Sequence, residues 1–286
     1  MSGAPASVAT AGSAQDPAVA VRGLTKRYGN FTAVDGIDLV IARGEIVGLL
    51  GPNGAGKTTT LRMLSGLLHP SAGTARVAGT DIQRDPRRAK ARLGYLDEEP
   101  IVYPNLTGRE FLEFVCDLYG VPGGAERRDR VQRLLRLFEL ADKQDELIAG
   151  YSHGMRQKIG LASLLVHGPE VLLLDEPTNG LDPRSARRVK DLLQELSRRG
   201  VTTVLSTHIL EIAEALCDRV AIMERGRIIA IGTLDELRRG TDQAGASLED
   251  LFLTLTGGPE SRALVDRLLG DGTAARPVGG RSGRAP

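Results

Sequence analysis

The stretch GPNGAGKTT, residues 51–59, constrains the fold more than any other part of the sequence. It fits G-x-x-x-x-G-K-[S/T] without departure, and the apolar run EIVGLL precedes it directly. A glycine loop between a buried strand and a helix turns several backbone N–H groups toward one anion, and the helix N-terminus adds its positive dipole end. Lys57 supplies a charge for terminal phosphates, and the Thr58 hydroxyl suits Mg²⁺. The stretch therefore predicts a phosphate-binding loop in an α/β domain.

A second candidate site lies in VLLLDEPTNGLDP, residues 171–183, where an apolar run ends in two acids. Ligands of open α/β sheets bind at the carboxyl ends of strands, so Asp175 is expected to hold Mg²⁺ there. Glu176 follows it and suits a general base that polarises an attacking water. The alternative for an isolated Asp-Glu pair is the acidic N-cap of a helix.

Composition narrows the class of protein. The 286 residues are 41% hydrophobic, enough for one large domain or one and a half ordinary ones, and the formal net charge of +1 gives no global bias toward nucleic acid. No apolar run reaches the roughly 18 to 20 residues needed to cross a bilayer. Cys116 and Cys217 show no metal-ligand spacing, which favours a reduced, cytoplasmic compartment.

The chain divides by pattern into three parts, which are a leader, one domain over residues 19–241 with a helical insert, and a C-terminal part over residues 242–286. Residues 1–18 predict a disordered leader, and short β-like runs follow from residue 19 to about residue 42. Residues 98–168 predict a helical insert, after which strands and helices alternate again to about residue 241. RVAIMERGRIIAIG predicts a hairpin, and residues 242–286 predict one short helix, through SLEDLFLTL, and a flexible tail.

Helical spacing predicts two apolar faces. The helix after the glycine loop is expected to stop at Pro70 and to carry Leu61, Leu64 and Leu68. In the insert, Thr107 and Glu110 predict a capping box. The helix that follows is expected to bury Phe111, Phe114, Val115 and Leu118.

Seven motifs in order separate the possible classes of phosphate-loop protein. They are RYGNFTAV, GPNGAGKTT, GYLDEEP, YSHGM, VLLLDE, GLDP and STH. The sequence contains no N/T-K-x-D motif, with which GTPases recognise guanine. In this order the sequence resembles the ATP-binding subunits of ABC transporters, from about residue 19 to residue 232. The resemblance implies the α/β fold of a P-loop NTPase, with a RecA-like parallel sheet core, an N-terminal antiparallel β subdomain and a helical insert subdomain.

The resemblance also implies two ATP molecules sandwiched between two head-to-tail domains. It places Tyr28 on the adenine, Asp175 and Glu98 at Mg²⁺, and His208 at the γ-phosphate, where it supports the water positioned by Glu176. Tyr28 alone would equally suit an ordinary strand aromatic. The residues expected to contact ATP are Tyr28, Gly51, Pro52, Asn53, Gly54, Ala55, Gly56, Lys57, Thr58, Thr59, Glu98 and, across the dimer, Ser152 and Gly154.

Three positions depart from the pattern of the family. Glu98 stands where glutamine is usual, which adds a negative charge beside the γ-phosphate. His153 and Met155 replace glycine and glutamine in the YSHGM signature. Ser152 and Gly154 are kept, and Ser152 also reads as a helix N-cap. We hypothesise that His153 adds a donor near the partner's phosphate.

The overall pattern is similar to the ATPase subunits of ABC-2 type exporters. The stretches that carry this similarity are GEIVGLLGPNGAGKTTTLRMLSGLLHPSAGTARVAG, YPNLTGREFLEF and SLEDLFLTLTG. This implies a separate membrane permease, peripheral attachment to the inner face of the cell membrane, and pairing with a second ATPase subunit, expected to be another copy of the chain. Ile101, Val102 and Tyr103 are expected either to contact the permease or to pack under the insert. The alternatives are an importer subunit and a soluble ATPase acting on ribosomes or DNA; no nucleic acid partner is expected.

Overall fold

A computed structural model describes residues 16–240 and 245–256. Residues 1–15, most of the predicted leader, and residues 257–286, most of the predicted tail, lie outside the described residues. The strands form two sheets. The strands are β1 (Val19–Tyr28), β2 (Phe31–Ile41), β3 (Ile46–Leu50), β4 (Ala72–Val77), β5 (Thr80–Asp81), β6 (Leu93–Leu96), β7 (Val171–Asp175), β8 (Thr202–Thr207), β9 (Arg219–Glu224) and β10 (Arg227–Gly232).

The first sheet is antiparallel, in the order β2-β1-β4-β5. β1 and β2 join through the two-residue turn at Gly29 and Asn30, which pairs Tyr28 directly with Phe31. Gly29 has a φ of 56°, a conformation that glycine adopts without strain. The turn therefore sets two aromatic side chains side by side at the end of the sheet.

The second sheet has the order β10-β9-β3-β8-β7-β6, and its interior strands are parallel. All five residues of β3 and of β7 are buried, as continuous apolar runs in a parallel sheet should be. β9 and β10 form the predicted antiparallel hairpin. The carboxyl ends of β3, β7 and β8 meet at one edge, and the polar residues that follow them lie together there.

Helices cover the parallel sheet and form the insert between β6 and β7. They are α1 (Lys57–Leu64), α2 (Pro86–Lys90), α3 (Gly108–Leu118), α4 (Ala125–Leu137), α5 (His153–Leu165), α6 (Pro183–Arg198), α7 (Leu210–Leu216), α8 (Leu234–Gly240) and α9 (Leu248–Leu255), with 3₁₀ turns at Ala141–Lys143 and Ile148–Gly150. No helix among the described residues is long and apolar enough to span a bilayer.

Two of the predicted helical faces need correction. α1 ends at Leu64, so Leu68 is not helical; the backbone turns at Gly66, whose φ is 69°. In α3 the capping box is confirmed, but Leu118 has 66% of its surface exposed. Leu112 and Cys116, fully buried, complete the packed face with Phe111 and Val115. The helix is rotated because it packs against both α4 and α5.

The predicted C-terminal helix is confirmed as α9. Ser247 caps it, and its Leu248 and Leu251 are buried against Leu50 and Ile222 of the parallel sheet. α9 thus covers apolar residues of β3 and β9 on one face of the parallel sheet.

Candidate functional site

A cavity of about 550 Å³ opens at the carboxyl edge of the parallel sheet. It brings together residues from β1, the glycine loop, the loop after β6, the end of β7 and the end of β8. The lining residues predicted from the sequence are Tyr28, Gly51, Pro52, Asn53, Gly54, Ala55, Gly56, Lys57, Thr58, Thr59, Glu98, Asp175, Glu176 and His208. Phe31 and Ala33 also line it.

The glycine loop has no room for side chains at two of its positions. A Cβ atom on Gly56 would lie 2.6 Å from the carbonyl oxygen of Ala33, and the φ of 103° there is strained for any other residue. A Cβ on Gly51 would collide with the carbonyl oxygen of Met223. Both glycines are therefore required for the loop to pass this close to neighbouring strands.

Lys57 lies at the first turn of α1 and is buried. Its Nζ donates to the carbonyl oxygens of Gly51 at 2.7 Å and Pro52 at 3.2 Å. Burial lowers the pKa of Lys57, and the carboxylates of Glu176, Asp175 and Glu98 act in the opposite direction. The loop backbone thus holds the Lys57 ammonium, and three carboxylates interact with it electrostatically.

Asp175, at the end of β7, is 1% exposed. Its Oδ1 accepts a short hydrogen bond from Ser206 on β8, while Oδ2 is buried with no hydrogen-bond partner among the described residues. A buried carboxylate oxygen without a donor is costly unless a cation or water meets it. The donor set fits Mg²⁺, with the Thr58 hydroxyl in the same cavity. The described residues contain no group of three or more acidic, His or Cys ligands, so further oxygens would come from nucleotide and water.

Glu176 occupies a strained backbone position, with a φ of 48°. Its N–H donates to the Ser206 hydroxyl at 3.1 Å, which holds the turn against β8. Such positions concentrate at functional sites because the surrounding structure must impose them. The turn aims the Glu176 carboxylate into the cavity instead of into the sheet.

His208, immediately after β8, contacts Glu176. Its Nδ1 lies 2.9 Å from Glu176 Oε1, and its side chain is 59% exposed against 10% for the glutamate. Of the four histidines, this is the one that lines the cavity. This is also the histidine that the sequence prediction assigned to the site, and its role is argued below.

Two aromatic side chains mark the other end of the cavity. Tyr28 and Phe31 are 50% and 63% exposed, although both are large and apolar. Phe31 is absent from the sequence predictions. The two residues Gly29 and Asn30 between Tyr28 and Phe31 are typical of a tight hairpin turn, and such a turn pairs Phe31 with Tyr28 across the strands.

Ser152 and Gly154 do not line this cavity. Ser152 caps α5 and accepts the Met155 N–H at 3.3 Å, and the helix begins at His153. A Cβ on Gly154 would lie 3.0 Å from the Gly180 carbonyl oxygen, and the His153 ring packs directly over Gly180. The cap hypothesis for Ser152 is confirmed, and the signature contacts the GLDP segment of its own chain.

The family model described as ABC transporter matches residues 34–179. The chain is 45% identical over 226 residues to the daunorubicin resistance ATP-binding protein DrrA3 of Streptomyces coeruleorubidus, which covers 79% of this chain and 71% of the relative. It is 41% identical to the Nod factor export ATP-binding protein I of Ralstonia nicotianae, covering 82% and 73% of the two chains.

Solved structures give the same match. One described as the ATP binding subunit of an ABC transporter superposes with a TM-score of 0.79 at 35% identity, covering 83% of this chain and 98% of that one. A dimeric ATP-binding cassette in a post-hydrolysis state, bound to ADP and Pi, superposes with a TM-score of 0.71 at 25% identity, covering 76% and 98%.

Proposed function

The chain belongs to the ABC transporter family of ATP-binding proteins, and from this premise we propose that it hydrolyses ATP to drive an exporter whose permease is a separate chain. One observation carries the proposal most directly. Glu176 and His208 are in contact, 2.9 Å apart, at the cavity that the phosphate loop lines. A carboxylate base beside a histidine, facing bound phosphate, is suited to activate water.

The roles of the residues follow from their positions. Backbone N–H groups of residues 53–59 and the Lys57 ammonium bind the phosphates, and Tyr28 and Phe31 flank the base. Glu176 takes the proton of the attacking water, and His208 steadies the γ-phosphate. Thr58, Asp175 and Glu98 would hold Mg²⁺, which neutralises charge that develops on the phosphates.

We propose that a second copy completes each site. Ser152 is exposed at the N-terminus of α5, outside the cavity of its own chain, and is free to meet another molecule's nucleotide. A helix N-terminus with a serine hydroxyl suits an anion. The likeness to a dimeric cassette supports this arrangement.

Export is supported by the relatives. Their names refer to daunorubicin resistance and Nod factor export. Ile101 is 82% exposed and Tyr103 51%, in a loop next to the insert. Val102 packs against the insert core, and the Tyr103 ring meets the Phe114 ring edge-on, with 5.2 Å between the ring centroids. We propose that Ile101 and Tyr103 contact the permease, which places the chain at the inner face of the cell membrane.

Glu176→Gln tests the catalytic assignment. The variant should bind Mg-ATP, hydrolyse it at least 100-fold more slowly, and elute as a stable dimer, because the nucleotide stays intact between two copies. Lys57→Ala is the matched control and should lose nucleotide binding itself. Hydrolysis by Glu176→Gln at the wild-type rate would contradict the proposal.

Affinity purification tests the partner. Tagged Glu176→Gln in detergent with Mg-ATP should retain a polytopic membrane protein, and Ile101→Glu should release it without changing ATP binding. Recovery of ribosomes or DNA would favour the soluble alternative. If right-side-out membrane vesicles take up substrate only when the chain is present, the importer alternative would be favoured.

A further inference from the structure

Arg62 of α1 forms an ion pair with Asp97 in the loop after β6. Its Nη2 lies 3.1 Å from each oxygen of the Asp97 carboxylate. The Asp97 side chain is 18% exposed and the Arg62 side chain 47%. Burial raises the pKa of the neighbouring Tyr95, so its hydroxyl stays neutral. Asp97 is therefore the anion that fixes Arg62 at this point.

Asp97 also holds the backbone of the next residue. Its Oδ1 accepts the Glu98 N–H at 3.0 Å. The Glu98 side chain is exposed, and its Oε1 reaches Asn179 Nδ2 at 3.4 Å. Two hydrogen bonds therefore restrain Glu98. Asp97 holds its backbone at 3.0 Å, and Asn179 contacts its side chain at 3.4 Å.

α1 connects this anchor to the phosphate loop. The helix carries Lys57 and Thr58 in its first turn and Arg62 in its second. Arg62 and Thr58 are four residues apart on a rigid helix, so their relative positions are fixed. The ion pair with Arg62 therefore fixes the loop after β6 relative to the Thr58 hydroxyl.

We propose that Arg62 and Asp97 are positioning residues that hold Glu98 at the metal end of the nucleotide cavity. This rests on the function proposed above, because Glu98 must act on a metal–nucleotide complex. A ligand held in place loses less conformational freedom when it binds, and residues behind metal ligands typically change affinity about 10- to 100-fold when replaced. Loss of Arg62 also leaves Asp97 as an uncompensated acid beside Glu98.

The test measures metal binding directly, in the full chain. Mn²⁺ is titrated into protein with a non-hydrolysable ATP analogue and followed by electron paramagnetic resonance. Arg62→Met and Asp97→Asn should each weaken Mn²⁺ binding about tenfold. The analogue's affinity without metal should not change, and neither should the unfolding midpoint, because a partly exposed ion pair adds little stability.

Two further variants separate positioning from a general effect on charge. The double variant Arg62→Met/Asp97→Asn should be no weaker than either single variant, since the two residues act as one unit. In a Glu98→Ala background, Arg62→Met should have no effect on Mn²⁺ binding. Arg84→Met, which removes an exposed arginine that pairs with Asp81 at 3.8 Å, is the matched control and should behave as wild type.

The outcomes separate this inference from the proposed function. Unchanged Mn²⁺ affinity in both single variants, or an Arg62→Met effect that persists without Glu98, overturns the positioning role. A wild-type protein that binds the metal–nucleotide complex but shows no ATP hydrolysis contradicts the proposed function and leaves the binding comparison intact.

Discussion

Tyr28 and Phe31 are large apolar side chains at the mouth of the cavity, and both remain exposed. Stacking of a base on an aromatic ring is worth about 1–3 kcal/mol. Lys26 Nζ lies 5.1 Å from the Tyr28 ring centroid, so the ring is already held on one face. We propose that both rings stack on the adenine, a role that the sequence prediction gave to Tyr28 alone.

We therefore expect Tyr28→Ala and Phe31→Ala each to raise the KM for ATP about fivefold or more, with kcat changed less than twofold, because base contacts are similar in ground and transition states. Steady-state hydrolysis measured over a range of ATP concentrations gives both constants. Val40→Ala removes an exposed side chain from the same strand as Phe31, outside the cavity, and should behave as wild type. An unchanged KM in Phe31→Ala would remove Phe31 from the site.

His167 predicts a pH dependence of stability. Its ring stacks on Tyr119 at 3.7 Å, its Nε2 bonds the Leu93 carbonyl oxygen at 3.1 Å, and its Nδ1 is buried without a partner among the described residues. Burial lowers the pKa of His167 below the ordinary value of 6.5. Above that pH the ring is neutral in both states, and below it the unfolded chain takes up the proton more readily.

The midpoint of denaturant unfolding should consequently fall as the pH is lowered from 7 toward 5.5, and the fall should be smaller in His167→Gln. His69→Gln is the control, because His69 is exposed. Equal slopes in wild type and His167→Gln would show that this ring does not contribute to the pH dependence.

At the scale of elements, α3 shows why helical spacing alone misassigned a face. The spacing that selected Leu118 fits equally a face rotated toward Leu112 and Cys116, because both lie within the wide apolar stripe of an amphipathic helix. Packing against α4 and α5 selects the rotated face, and no local pattern contains that information.

Two leucine substitutions on α3 test this orientation. Leu112→Ala should lower the free energy of unfolding by about 2–5 kcal/mol, because Leu112 is fully buried. Leu118→Ala should change it by less than about 0.5 kcal/mol. Equilibrium urea unfolding of both variants measures the difference, and a larger loss in Leu118→Ala than in Leu112→Ala would mean that α3 faces its neighbours as the spacing alone suggested.

At the scale of the whole molecule, the proposed function requires residues of a second copy at each site. Ser152 and Gly154 lie outside the cavity that holds the phosphate loop, so ATP hydrolysis should require two copies. The specific ATPase rate should rise with protein concentration and level off when the dimer is saturated. A specific rate that stays constant down to nanomolar protein, with monomers by light scattering, would contradict shared sites.

The sequence predicted the α/β class, the phosphate loop and the two acids at the end of β7, because ordered motifs and buried runs are local signals. It missed Phe31, whose place depends on strand register, and the contacts of Arg62 and Asn179 with residues 97 and 98. Those contacts join residues 35 and 81 positions apart, and only the assembled sheet brings them together.

Ser206 connects the two acids through one hydroxyl on β8: it donates to Asp175 and accepts from the Glu176 N–H. Any sliding of β8 past β7 would displace both carboxylates at once. For the proposed hydrolysis we therefore expect β7 and β8 to keep their register, and any movement that accompanies it to occur in the loops and the helical insert.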